Sequence, residues 1–136
     1  MSDDRLLHIG DVADRVGLSL RTVRYYEEQG LLEPAGRTEG GFRLYAEEQV
    51  ARLALIKRMK PLGFTVQQMR ELLDARDALR SGDEAERRGA MEQLTAYADA
   101  AAERCAELRR QLDHASAFTE QLRDEARRGG AGDASG

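Results

Sequence analysis

Arginines and tyrosines in the N-terminal third carry the chemistry this sequence offers. Arg21 and Arg24 lie three residues apart in a stretch of helical periodicity, so both guanidiniums share one face while Val23 faces the core. A guanidinium pair placed this way can read guanine edges in a major groove or clamp phosphate, and the residues leave both open. Tyr25 and Tyr26 follow, with hydroxyls that can reach a nucleic-acid backbone or rings that can fill a core. Arg37 and Arg43 flank a glycine-containing turn, from which they would reach flanking backbone or a minor groove. Taken singly, a surface arginine is ordinarily solvated charge. The joint placement of these four argues for a shared anionic partner. For Lys57 and Lys60 the solvated and the DNA-facing readings stand level.

Other chemistry finds little support. No Ser/His/Asp set, carboxylate pair, phosphate-cradling glycine loop or metal cluster falls at useful spacing, so an enzyme is the class the sequence fits least. His8 and His114 have no near partner at ligand spacing. Cys105 is the one cysteine, so no disulfide can form within the chain, and an iron–sulfur centre, which needs several thiolates, is excluded. The start, Met-Ser-Asp-Asp-Arg, lacks the basic and apolar regions of a signal peptide, and no apolar run approaches membrane-spanning length. A reduced cytoplasmic setting with no membrane partner is therefore expected.

The 136 residues suit one compact domain plus an extended element. A charged fraction of 34% beside 41% apolar residues and no tryptophan favours helices with much solvated surface. The net charge of −4 argues at first against nucleic acid. Its distribution reverses that argument: residues 15–60 hold nine Arg or Lys against six Glu, whereas residues 66–136 hold eleven against fifteen Asp or Glu.

Ile9, Val12, Ala13 and Val16 fall at helical spacing, with Gly17 as a left-handed stop. Ser19 sits where an N-cap belongs, and Leu20, Val23 and then Tyr26 or Glu27 continue at helical period until Gly30. Two short helices joined by a tight glycine turn predict a helix-turn-helix. Pro34, Gly36, Gly40 and Gly41 mark turns and Phe42 to Tyr45 alternates, so Leu32–Tyr45 reads as a β-hairpin wing. A third helix is predicted from about Glu47 to Lys60, with Val50, Leu53 and Ala54 inward and Lys57 a further inward candidate, until Pro61-Leu62-Gly63 breaks it. Thr65 followed by Gln68 matches a capping box, opening a fourth helix that carries Val66, Met69, Leu72 and Leu73.

After Ser81-Gly82-Asp83 a longer helix is predicted from near Glu84. Met91, Leu94, Ala98, Ala101, Cys105, Leu108, Leu112, Ala115, Thr119, Leu122 and Ala126 alternate steps of three and four, as a coiled-coil seam does. A single amphipathic helix packed on its own domain is the alternative, but a partner chain buries so long a stripe more simply. The expected organisation is a DNA-binding domain over 1–80, a dimerisation helix over 81–127 and a Gly-, Ala- and Arg-rich disordered tail over 128–136.

The string IGDVADRVGLSLRTVRYYEEQGLL followed by GFRLYAEEQVARLALIKRMKPLGFTVQQMRELL resembles the DNA-binding head of the MerR family of transcription regulators, over roughly residues 8–76. The heptad helix resembles that family's antiparallel dimerisation helix. The resemblance implies a mainly α fold, a winged helix-turn-helix head with a small β-hairpin wing followed by a long antiparallel coiled coil. It assigns Tyr26 to phosphate, leaves Tyr25 ambiguous and makes Tyr45 similar to a phosphate-contacting tyrosine. The candidate DNA-contacting set is Ser19, Arg21, Thr22, Arg24, Tyr25, Tyr26, Arg37, Phe42, Arg43, Tyr45 and Lys60. The family often has Ser or Asp where this chain has Ala46, which implies a weaker cap on the third helix.

The resemblance further implies a homodimer on a pseudo-palindromic promoter operator, bending and untwisting DNA so that RNA polymerase engages both promoter elements, under an effector whose identity the sequence withholds. In the family's metal sensors, thiolates at the start of the dimer helix and in a loop after it hold a soft cation. Here that start is Asp83-Glu84-Ala85, so no metal and no cofactor are expected, and only about ten residues follow the coil, which leaves no room for a drug-binding domain. An antiparallel pairing over 84–127 would bring two copies of Cys105 near the two-fold axis. Oxidation could then link subunits, although a small thiol packing like alanine is the commoner outcome. Two other classes share these features: an effector-independent architectural or excisionase-like DNA binder, and a coiled-coil adaptor that touches no DNA.

Overall fold

The computed structural model describes residues 5–135. Helix α1 (Ile9–Val16) buries Val12, Ala13 and Val16 on one face and stops at Gly17, whose φ of 80° is left-handed and whose N–H donates to the Ala13 carbonyl. Helix α2 (Leu20–Glu28) starts where the cap predicts: the Ser19 hydroxyl accepts the Thr22 N–H at 3.1 Å, a bond worth about 1 kcal/mol. Val23 and Tyr26 face the core. Leu20, expected with them, is 41% exposed, because it lies one turn ahead of Arg24 and shares its outer face.

The wing expected over Leu32–Tyr45 is there as β2 (Gly36–Arg37) and β3 (Arg43–Tyr45). A further strand, β1 (Leu7–His8), pairs antiparallel with β3 and makes a sheet of order β1-β3-β2, with Leu7 opposite Tyr45 and Arg37 opposite Arg43. Two residues are too few to show a period of two, so β1 left no signal in the sequence.

Helix α3 (Glu47–Met59) starts at Ala46 without a side-chain cap and buries Val50, Leu53, Ile56 and Met59. Ala54 and Lys57, both read as inward candidates, are exposed. The larger Ile56 and Met59 carry more apolar area and turn their face to the core instead. Lys57 is still used structurally: its ammonium donates to the Val16 carbonyl at 2.7 Å and closes the end of α1. A Cβ at Gly17 would meet that ammonium at 2.9 Å. After a short 3-10 turn (Lys60–Leu62), α4 (Val66–Ser81) opens on the expected capping box, with the Gln68 N–H donating to Thr65 Oγ1 at 3.1 Å and the Thr65 N–H to Gln68 Oε1 at 2.9 Å.

The core joins both helix pairs to the sheet. Val12, Val23, Leu31, Tyr45, Leu53, Ile56 and Leu73 are its largest fully buried side chains, each aliphatic one contributing about 1.5–3 kcal/mol. The C-terminal carbonyls beyond α2 are closed by later helices: Arg52 Nε donates to Leu31 O at 2.9 Å and Arg70 donates to Gln29 O.

Helix α5 (Glu84–Ser135) opens on a second reciprocal cap, Glu86 N–H to Asp83 Oδ1 and Asp83 N–H to Glu86 Oε1, both 2.8 Å. The described residues divide into two compact units, the first ending at Tyr97 and the second starting at Ala98. Ala90 is buried, the Tyr97 hydroxyl donates to Glu71 Oε1 at 2.7 Å, and the Tyr97 ring meets Phe64 edge-on at 5.7 Å. These contacts bind the opening turns of α5 into the head. Over the stretch expected to be a disordered tail, 128–136, α5 continues through Arg127 and Arg128 to Ser135, and Gly136 lies outside the described residues. Arg128 pairs with Asp124 at 2.7 Å, and extending an existing helix carries no nucleation cost. No helix among the described residues is long and apolar enough to cross a membrane.

Candidate nucleic-acid interface

The outer face of α2 presents Leu20, Arg21, Arg24 and Tyr25 to solvent. Ser19 is a cap more than a contact: its oxygen accepts the Thr22 N–H while its proton goes to Thr22 Oγ1 at 2.9 Å. The Thr22 hydroxyl keeps its own proton for an external acceptor. Beside this face Leu18, Arg21, Thr22, Tyr25, Tyr26, Lys57 and Lys60 line an open depression of about 400 Å³. Tyr26 is buried and contributes to the lining of this depression. Burial, and then the neighbouring Tyr25, holds that phenol above its ordinary range, which keeps it a donor at neutral pH. The two lysines that the sequence left level now separate, since Lys57 caps α1 while Lys60 stays exposed on the depression's rim.

A second depression, of about 210 Å³, is lined by His8, Arg24, Arg37, Phe42, Arg43 and Tyr45. Three arginines, one from α2 and two from the wing, contribute to its lining. Arg37 and Arg43 are direct cross-strand partners, an arrangement that like charges disfavour unless an anion sits between them. Arg37 Nη1 donates to the Gly41 carbonyl at 3.1 Å, which holds it along the turn. Gly41 has φ 87°, and Thr38 brackets the turn by donating its N–H to Phe42 O at 2.8 Å and accepting the Phe42 N–H on Oγ1 at 3.1 Å. Phe42, 69% exposed at its tip, is free to lie against sugar or base edges.

Tyr45, expected at phosphate, is fully buried, and its hydroxyl donates to Glu27 Oε1 at 2.9 Å. Burial first and the Glu27 hydrogen bond second push its phenol up to about 12 from an ordinary 10.0. A phenol raised on folding contributes stability that is complete below pH 10.0 and is lost as pH climbs towards about 12. Chemical denaturation across that window is expected to show a steeper loss for the wild type than for Tyr45→Phe; equal slopes would remove the linkage.

Glu27 was missed as a site residue. Its other oxygen, Oε2, pairs with Arg43 Nε at 2.9 Å, and its side chain is only 12% exposed. The available signal was an acid at an inward helical position, because a buried carboxylate needs partners.

The dimerisation candidates divide between the units. In the first unit Met91 is exposed and Leu94 half-buried. In the second, Ala98, Leu108, Leu112, Ala115 and Leu122 are exposed and Ala101 and Cys105 half-buried. Phe118, also exposed, flanks this stripe three residues after Ala115 and four before Leu122, a spacing that could have been read from the sequence. No group of three or more His, Cys, Asp or Glu among the described residues could hold a metal ion.

A basic helix face beside a basic wing, on a compact helical core, defines a winged helix-turn-helix DNA-binding domain. A family model described as MerR HTH family regulatory protein matches residues 7–76, just over half of the chain, and one described as MerR, DNA binding, matches residues 50–124. The chain belongs to the MerR family. The mercuric resistance operon regulatory protein of Bacillus cereus is 46% identical over 69 residues, covering 51% of this chain and 52% of that protein. The HTH-type transcriptional regulator ZntR of Escherichia coli is 44% identical over 71 residues, covering 52% and 50%. The chain thus spans about half the length of the curated relatives it matches. Among solved structures, the regulator PbrR691 of Ralstonia metallidurans, in complex with lead(II), is 31% identical with a TM-score of 0.52, covering 78% of this chain and 82% of that one. HiNmlR, a MerR family regulator bound to promoter DNA, shares the fold with a TM-score of 0.63 at 24% identity, covering 80% and 83%.

Proposed function

We propose that this protein is a homodimeric transcription regulator that binds a pseudo-palindromic promoter operator and acts by bending and untwisting it for RNA polymerase. The observation that carries this is that Arg24, Arg37 and Arg43 line one depression on α2 and the wing, with Arg21 exposed on the same helix. On this reading Arg21 and Thr22, in the first turn of α2, would meet a major groove, while Arg37, Phe42 and Arg43 would extend the contact to the flanking backbone. The apolar stripe on α5 would pair with a second copy and deliver two heads to one operator. An effector that toggles the DNA shape completes the reading; with a single cysteine and Asp83-Glu84-Ala85 at the start of α5, a thiolate-bound soft metal does not fit that role. Kinship to named regulators favours this over an effector-independent architectural binder.

The site assignment is tested by two substitutions in duplex-binding titrations at several salt concentrations. Arg21→Ala is expected to flatten sequence preference, a loss of about 1–3 kcal/mol at the affected base pair. Arg37→Ala is expected to weaken all duplexes alike and to reduce the salt slope by about one unit. Wild-type affinity in both variants would overturn the assignment.

A further inference from the structure

We infer that Glu27 is a positioning residue of the DNA-binding face, holding the wing arginine Arg43 in the orientation that meets phosphate and tying the wing to α2. The inference rests on the DNA-binding reading above and adds a role for an acid that this reading alone would make a liability. Glu27 lies on α2 between elements separated in sequence. One carboxylate oxygen receives Nε of Arg43 at 2.9 Å, and the other receives the buried Tyr45 hydroxyl at 2.9 Å. Tyr45 is itself fixed, fully buried and paired with Leu7 on β1, so it holds the carboxylate in one place. The carboxylate therefore has one fixed anchor and one movable client.

The client is Arg43. Its side chain is 45% exposed, against 12% for Glu27. A guanidinium gripped through Nε keeps its two terminal nitrogens for a second acceptor, and their plane is set by the first bond. Arg24 and Arg43, together with Glu27 and Glu28, line the groove between α2 and the wing, so the orientation of Arg43 also governs how close two like charges stand. A long arginine side chain without such a grip would lose more rotamer freedom on meeting DNA.

Charge alone and positioning predict opposite signs. If Glu27 acted only as a negative charge near phosphates, Glu27→Gln would bind duplex more tightly and with a steeper salt dependence. If it positions Arg43, the neutral amide has one acceptor oxygen for two donors and no charge to grip the guanidinium, and affinity falls about tenfold, the loss of one charge-assisted hydrogen bond. The slope of log affinity against log salt then becomes shallower by about 0.9, one phosphate contact. Arg43→Lys keeps the charge on an exposed residue but lacks Nε, and is expected to reproduce both changes. Added to Arg43→Lys, Glu27→Gln should weaken binding by no more than about twofold, since the shared partner is already lost.

The probe is a labelled duplex enriched by the wild-type full chain from a random-sequence library, titrated at several salt concentrations, with thermal melts reporting folding. Absence of salt-sensitive binding by the wild type would overturn the DNA-binding reading, and this inference with it. Normal wild-type binding with equal or tighter binding by Glu27→Gln would overturn the positioning role alone. Should Glu27→Gln fail to fold, Arg43→Lys decides, and wild-type affinity and slope in that variant would overturn the inference.

Discussion

Leu112→Glu is expected to abolish dimerisation and to lower operator affinity by about a hundredfold or more, through loss of the second head. Leu112 is the most exposed of the large aliphatic side chains on α5, at 63%, and lies on the stripe that includes Leu108, Ala115 and Leu122. A leucine removed from water at a paired seam contributes about 1.5–3 kcal/mol, and a two-fold interface contains it twice. Glutamate forfeits that and adds two charges near one another in a desolvated setting. Sedimentation of the variant at micromolar concentration should give a monomer. Duplex binding should fall to that of a single head, with the melting of the first unit unchanged. A variant that remains dimeric and binds as the wild type does would remove the α5 stripe from the dimer interface.

Leu53→Ala is the complementary experiment, expected to strike the head and leave the stripe alone. Leu53 has no exposed surface, sits mid-way along α3 and belongs to the cluster that joins α1, α2, the wing and α4. Truncation of a fully buried leucine leaves a cavity that a close-packed core fills only in part, and costs about 2–5 kcal/mol. For a small domain that is a large fraction of the about 5–15 kcal/mol available. Denaturant titration should show the midpoint shifted down with little change in slope. At temperatures where the variant remains folded, its affinity for duplex should stay close to wild type, because Leu53 is fully buried and is not one of the exposed residues of the basic face. A loss below about 1 kcal/mol would show that the site collapses freely and that the core is less close-packed than the burial indicates.

The two experiments separate what was readable in the residues from what was not. The helices of the head were legible because their signals are local. Ser19 with Thr22, Gly17 with Ala13, and Thr65 with Gln68 each make their bond within one turn, so the sequence window contains both partners. The α5 stripe was legible for the same reason, since a heptad spacing is a property of one chain segment. The side-chain alliances were not. Tyr45 finds Glu27 across 18 residues, Arg52 finds Leu31 O across 21, and Lys57 and Arg70 each find a carbonyl across 41.

Charge counting placed a basic excess in residues 15–60 and so pointed to the right half of the chain. It could not sort that excess. Arg52 and Lys57 end as helix-closing donors, whereas Arg21, Arg24, Arg37 and Lys60 stay on the outer surface. By itself, then, the sequence determined the helix order, the wing, the caps and the family, because each rests on short-range periodicity or on a contiguous string. Only the tertiary structure decided that Tyr45 is core, that Glu27 sits between Tyr45 and Arg43, and which arginines and lysines stay exposed. A side chain's type sets what it can bond, but which acceptor comes within 3 Å depends on elements brought together from distant parts of the chain.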